Sequence, residues 1–156
     1  MAITKGTDTY VAVSEADIYF SNRLDSSTWH ESTVARKESA LVSATRILDT
    51  MSWSGQVVDA DQPLAFPRIG NYLDVRLGQW SVMDPAPRCL ELATLELANH
   101  LLINPDLMTD TGSVKDLSVG SINLSSISRP SKLPKDIKRL VSSMLTNGNN
   151  GWWRAN

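Results

Sequence analysis

Two histidines, two acidic pairs and one cysteine are the side chains whose types and spacing could support catalysis or metal binding. His100 follows Glu96 by four residues, a helical spacing that suits a metal-ligand pair or an acid–base pair. A catalytic zinc site normally takes three protein ligands, however, and no third His or Cys stands at ligand spacing. A hydrogen-bonded structural histidine is therefore the favoured interpretation.

The other candidates for chemistry have simpler explanations. Asp59 and Asp61 are typical of a solvated loop, and Glu91 with Glu96 of polar positions on a helix. The single Cys89 excludes an intramolecular disulfide, and its apolar surroundings indicate a small buried hydrophobe rather than a nucleophile. Because the sequence has no glycine-rich phosphate loop and no nucleophile elbow, it predicts no enzyme activity, no cofactor and no bound metal.

The stretch NGNNGWWRAN, residues 147–156, sets two adjacent tryptophans among glycines and asparagines, which favour turns and cannot build a core around two indoles. Trp is among the residue types most enriched at interface hot spots, and burying one large aromatic side chain is worth about 2–3 kcal/mol. We therefore expect Trp152 and Trp153 to dock in a pocket on another molecule, with a folded-back segment as the alternative. Arg154 would add a charge-assisted contact to a carboxylate or carbonyl.

Charge is distributed unevenly along the chain, whose formal net charge is −2. Residues 1–126 hold 9 Lys and Arg against 16 Asp and Glu, a net charge of −7, whereas residues 127–156 hold 6 against 1, a net charge of +5. On the last predicted helix, Lys135, Lys138 and Arg139 form a basic face, for which plain solvation and a contact role are equally favoured. Basic side chains beside tryptophans are typical of single-strand binders, but the acidic body would repel a phosphate backbone.

The composition is that of one globular domain, with 156 residues, 42% of them hydrophobic and 21% charged. Residues 10–13 alternate like a short strand, and residues 15–23 are predicted as a first helix. The capping pattern at Thr28 and Glu31 opens a longer helix that ends near residue 51 and shows one apolar stripe to the core. Residues 53–84 carry too many prolines and glycines for a long regular element, but their apolar content indicates an ordered loop or short strands.

A central helix is predicted to start at Asp84 and Pro85, an N-cap and first-position pair, and to end at Asn104. It is apolar nearly all round, which predicts burial on more than one face. Pro134 opens a last helix with one apolar stripe, and Asn147 ends it.

A β-hairpin is predicted over about residues 114–127, because the sequence alternates on either side of a Gly-Ser pair that suits a two-residue turn. In that register Leu117 faces Leu124 and Val119 faces Ile122. The fold class is therefore mainly α, a small helical bundle with a β-hairpin and an extended C-terminal tail. We assign residues 1–146 to one helical domain, with its last helix at about 134–146, and residues 147–156 to a docking tail.

Four stretches of the sequence resemble the small head-to-tail adaptor, or connector, proteins of tailed bacteriophages. They are YVAVSEADIYF at 10–20, KESALVSATRILDTMSWSG at 37–55, QPLAFPR at 62–68 and PAPRCLELATLELANHLL at 85–102. Some members of this family are described as DnaT-like single-stranded-DNA-binding proteins. Phe66 stands where many relatives carry Trp, so this position keeps an aromatic side chain.

The resemblance implies a structural protein of the virion head–tail junction, made in the host cytoplasm and forming a homo-oligomeric ring, expected to be a dodecamer. Such a ring binds the portal protein and a tail or nozzle protein, and genomic double-stranded DNA passes through its channel without sequence-specific binding. The portal-docking residues would be Trp152, Trp153, Arg154, Lys135, Lys138 and Arg139. The subunit interface would include Leu117, Val119, Ile122, Leu124, Phe66 and Arg68.

The alternative function, from a different class, is that of a single-stranded-DNA-binding replication accessory protein. No membrane partner is expected for either function, because no apolar run approaches the roughly 20 residues that a spanning helix needs. The first ten residues also lack the basic and apolar regions of a signal peptide.

Overall fold

The computed structural model describes residues 3–108, the strands at 116–119 and 122–125, and residues 133–146. Within these ranges the helices are α1 (Val13–Ser21), α2 (Ser27–Glu31), α3 (Val34–Asp49), α4 (Arg88–Ile103) and α5 (Lys135–Val141). The strands are β1 (Gln56–Val57), β2 (Arg68–Ile69), β3 (Asn71–Asp74), β4 (Gln79–Val82), β5 (Asp116–Val119) and β6 (Ile122–Ser125). They pair as three two-stranded antiparallel sheets, β1 with β2, β3 with β4 and β5 with β6.

The core lies between α3 and α4. The predicted stripe of α3 is confirmed, since Ala40, Leu41, Ala44 and Leu48 are buried. Helix α4 packs against α2, α3 and α5, and it buries residues on most of its circumference. This confirms the prediction that the central helix is covered on more than one face, and Asn104 is its C-cap as expected.

Three predictions about the elements before residue 104 are wrong. Residues 10–13 form no strand, because α1 already begins at Val13 and the Glu15 carboxylate accepts the backbone N–H of Ala12 at 2.9 Å. The predicted long second helix is two helices, because the Thr33 hydroxyl accepts the N–H of Arg36 and starts α3 anew. The central helix starts at Arg88 and not at Pro85, since Pro87 disfavours helical backbone in the residue before it.

The region 53–84 is ordered and contains short strands, as its apolar content predicts. One side chain, that of Gln62, holds its first part in place by binding backbone groups. Gln62 accepts the N–H groups of Val58 and Asp59, each at 3.1 Å, and its amide donates to the carbonyls of Leu64 and Pro67. Gly55 has φ +72°, and a Cβ added there would meet the carbonyl oxygen of Ile69 at 2.3 Å.

The predicted hairpin is confirmed in its strands and register, with Leu117 opposite Leu124 and Val119 opposite Ile122. The last helix is shorter than predicted, because α5 ends at Val141 and a 3₁₀ turn follows over Ser142–Met144. The chain then crosses back to the body. The backbone N–H and hydroxyl of Thr146 both donate to the carbonyl of Ser52 at 2.9 Å.

Candidate nucleic-acid interface

Helix α5 presents the basic face that its sequence predicts. Ile137 and Val141 are buried against the body, which turns Lys135, Lys138 and Arg139 to solvent. Within the described part of the chain, these three cations form no ion pair and no side-chain hydrogen bond. Their charge is therefore not neutralised by the neighbouring acidic body.

Beside α5 lies a groove whose walls are the β3–β4 hairpin, the first turns of α4 and α5 itself. Its volume is about 580 Å³, and three arginines line it: Arg76, Arg88 and Arg139. We call this cavity the arginine groove. The cationic side chains alternate with apolar ones, chiefly Leu73, Val75, Leu92 and Leu140. A smaller cavity of about 270 Å³ shares Leu92, Asp136 and Leu140 with it and extends it toward α1.

The electrostatic balance of the groove favours anions. Asp74 and Asp136 also line it, and the Asp74 carboxylate lies 3.8 Å from the guanidinium of Arg76. Arg88 and Arg139 have no such partner among the described residues. Burial raises the pKa of both the Cys89 thiol and the Tyr72 hydroxyl, so neither lining residue adds a negative charge at neutral pH.

The outward face of the β3–β4 sheet is apolar, although it is exposed. Trp80 pairs across the hairpin with Leu73, a groove residue, and is 71% exposed, while Val82 is 64% exposed. We call Leu73, Trp80 and Val82 the outer face. Sequence reasoning did not single out Trp80 as a surface residue. Alternate side chains of a strand point to opposite faces, so Leu73 lies on the face opposite buried Tyr72. This alternation is the sequence pattern that could have predicted an exposed face on the hairpin.

Two residues assigned to a subunit interface have contacts inside the subunit. Phe66 is buried and meets the rings of Tyr10 and Trp53 edge to face, with centroids 6.2 and 4.9 Å apart. Arg68 donates to three backbone carbonyls, those of Ser54 at 2.8 Å, Ala65 at 3.2 Å and Gly55 at 2.7 Å. Both residues thus hold the 53–68 region on the core.

The structure describes only some of the other predicted site residues. Leu117, Val119, Ile122 and Leu124 lie on β5 and β6, for which the structure gives the backbone pairing. Trp152, Trp153 and Arg154 lie outside the described residues. The structure therefore brings Lys135, Lys138 and Arg139 together on one helix and leaves their placement beside the tryptophans a prediction.

The residues considered for catalysis have structural partners. Glu96 accepts the hydroxyl of Tyr19 and pairs with Arg23, which ties α1 to α4. Asp59 accepts the N–H of Asp61 within its own turn at 3.0 Å. Among the described residues, no group of three or more His, Cys, Asp or Glu side chains is placed to hold a metal. No helix in the same part of the chain is long and apolar enough to span a bilayer.

Fold and site together define a class: a small domain of helices and two-stranded antiparallel sheets, with a cationic groove beside an exposed indole. The chain belongs to the family described as "Putative DnaT-like ssDNA binding protein", whose model matches residues 2–154. No curated protein and no solved structure gives a significant match.

Proposed function

We propose that this protein binds single-stranded DNA without catalysis, along the arginine groove and the exposed face of α5. The observation that carries the proposal is the set of five cations on adjoining surfaces: Arg76, Arg88, Lys135, Lys138 and Arg139. Membership of a DnaT-like family supports the same function.

The geometry suits a flexible strand better than a duplex. Single-strand binders combine a cationic groove that follows the phosphates with aromatic side chains on which bases stack. Here the groove supplies the cations, and Trp80 on the adjoining outer face supplies an exposed indole for one base. The net negative charge of the rest of the body would confine the strand to this cationic strip.

The experiment that tests this proposal is a fluorescence anisotropy titration with a labelled oligodeoxythymidine. We expect Lys138→Gln/Arg139→Gln to weaken binding by about tenfold or more, since each lost phosphate contact removes a salt-dependent contribution. Arg36→Gln/Arg46→Gln is the matched control, because it removes the same charge from exposed positions of α3 and should bind like the wild type. Equal losses in both variants, or no binding by the wild type, would contradict the proposal.

A second candidate function is the structural head-to-tail adaptor of a phage virion, with a homo-oligomeric ring bound to a portal. The observation that favours it is the outer face, because Leu73, Trp80 and Val82 expose apolar area suited to contact with another subunit. Its test is the native mass of the protein mixed with a cognate portal ring. The full chain should add a ring of copies and Trp152→Ala/Trp153→Ala should not, whereas binding by neither would overturn the candidate.

A further inference from the structure

The arginine groove is suited to indole rings as well as to phosphates. Its volume of about 580 Å³ lies within the range of pockets that hold drug-sized ligands. Leu73, Leu92 and Leu140 provide apolar walls, and the guanidinium groups of Arg76, Arg88 and Arg139 line the same space. Arg over the face of Trp is a favoured cation–π pair, so an aromatic ligand would meet both kinds of contact here.

The chain itself carries such aromatic groups close to the groove. Ser142 and Ser143 line the groove, and Thr146 is fixed three residues later by its two hydrogen bonds to Ser52. Five residues separate Thr146 from Trp152, and the six Cα–Cα steps between them span up to about 20 Å when extended. The intervening NGNNG sequence favours turns, which allows the chain to reverse toward the groove.

We propose that residues 147–156 fold back onto their own subunit and dock Trp152 and Trp153 in the arginine groove. A ligand of the groove must then displace the tail before it binds. The docking stands on the groove and the chain length alone, whereas competition with single-stranded DNA rests on the proposed function.

Cys89 makes the docking measurable without any DNA. It is the single cysteine of the chain, it lines the groove and it is half-buried, with its thiol 3.8 Å from the sulfur of Met144. Two indoles seated between Leu73 and Leu140 would cover it. The rate of Cys89 alkylation by iodoacetamide therefore reports whether the groove is occupied.

The experiment compares alkylation rates of the full chain and of Trp152→Ala/Trp153→Ala at one pH. We expect the variant to react about tenfold faster. A tenfold difference corresponds to a wild-type tail that leaves the groove free in roughly one molecule in ten. Asn149→Ala/Asn150→Ala is the control, since it changes the same tail without removing an indole and should react like the wild type. Circular dichroism of the variants checks that their folds match.

The wild-type rate should also stay constant on dilution, because the tail belongs to the same molecule. Protection that disappears on dilution would assign the occupant to a second copy and overturn the proposal, as would equal rates in the wild type and the double-tryptophan variant. Protection of Cys89 in the wild type, together with no DNA binding by Trp152→Ala/Trp153→Ala, would support the docking and contradict only the proposed function.

Discussion

Replacing Gly55 by alanine should destabilise the protein far more than the same change at Gly78. Both glycines have positive φ, +72° and +65°, so an alanine suffers a similar backbone penalty of about 1 kcal/mol at either site. At Gly78 nothing lies within 4 Å of the added Cβ. At Gly55 the Cβ would lie 2.3 Å from the carbonyl oxygen of Ile69, a backbone atom that cannot rotate away.

Relief of that contact requires β1 and β2 to separate, since Gln56 pairs with Ile69 in the next position. Overpacking of this kind typically costs about 1–3 kcal/mol. We therefore expect Gly55→Ala to lower the free energy of unfolding by about 2–4 kcal/mol and Gly78→Ala by about 1 kcal/mol or less.

Urea unfolding followed by circular dichroism measures both changes. A double-mutant cycle adds a second readout, because Arg68 holds the carbonyls of Ser54 and Gly55. If Gly55→Ala already displaces this segment, combining it with Arg68→Gln should cost less than the sum of the single changes. Equal stability of the two alanine variants would refute the close approach of Gly55 to Ile69.

Three further predictions follow from the same contacts. Met144→Ala should cost about 2–5 kcal/mol in urea unfolding, because Met144 is fully buried, while Leu140→Ala at a 38% exposed position should cost less than about 1 kcal/mol. Lys5 and the N–H of Ala12 hold the pKa of Glu15 below its ordinary value, so the stability that Glu15→Gln removes at neutral pH should vanish as the pH falls through that lowered pKa. If all five cations of the proposed DNA site contact phosphates, log Kd plotted against log salt concentration should have a slope of about 3.5, reduced to about 2 in Lys138→Gln/Arg139→Gln.

Helical stripes and strand alternation were predictable because they repeat within a few residues. The buried face of α3 and the pairing of Leu117 with Leu124 both follow from such local periodicity. Helix starts were less predictable, since several residues near each start can cap it. Thr28 and Thr33 are both suitable caps, and the Thr33 hydroxyl is the one that accepts a helical N–H.

Only the part of the candidate site that lies on α5 was predictable from the sequence. Lys135, Lys138 and Arg139 share one helix face, so their spacing alone brings them together. Arg76 and Arg88 belong to a hairpin and to another helix, and tertiary packing sets their distance from α5. The three carbonyls bound by Arg68 are likewise backbone groups, which carry no signature in the sequence.

The segment after α5 contacts residues 52–54, and this late segment also determines at what stage of synthesis the groove can form. The hydrogen bonds of Thr146 and Ser54 span 94 and 90 residues of sequence. Contacts this distant in sequence carry a loop-closure entropy cost that must be met before they contribute to stability. Helices α3 and α4 precede α5 in the chain, so both are synthesised before it. The wall formed by α5 is added last, so a growing chain has no groove to offer any ligand until residue 146 has emerged.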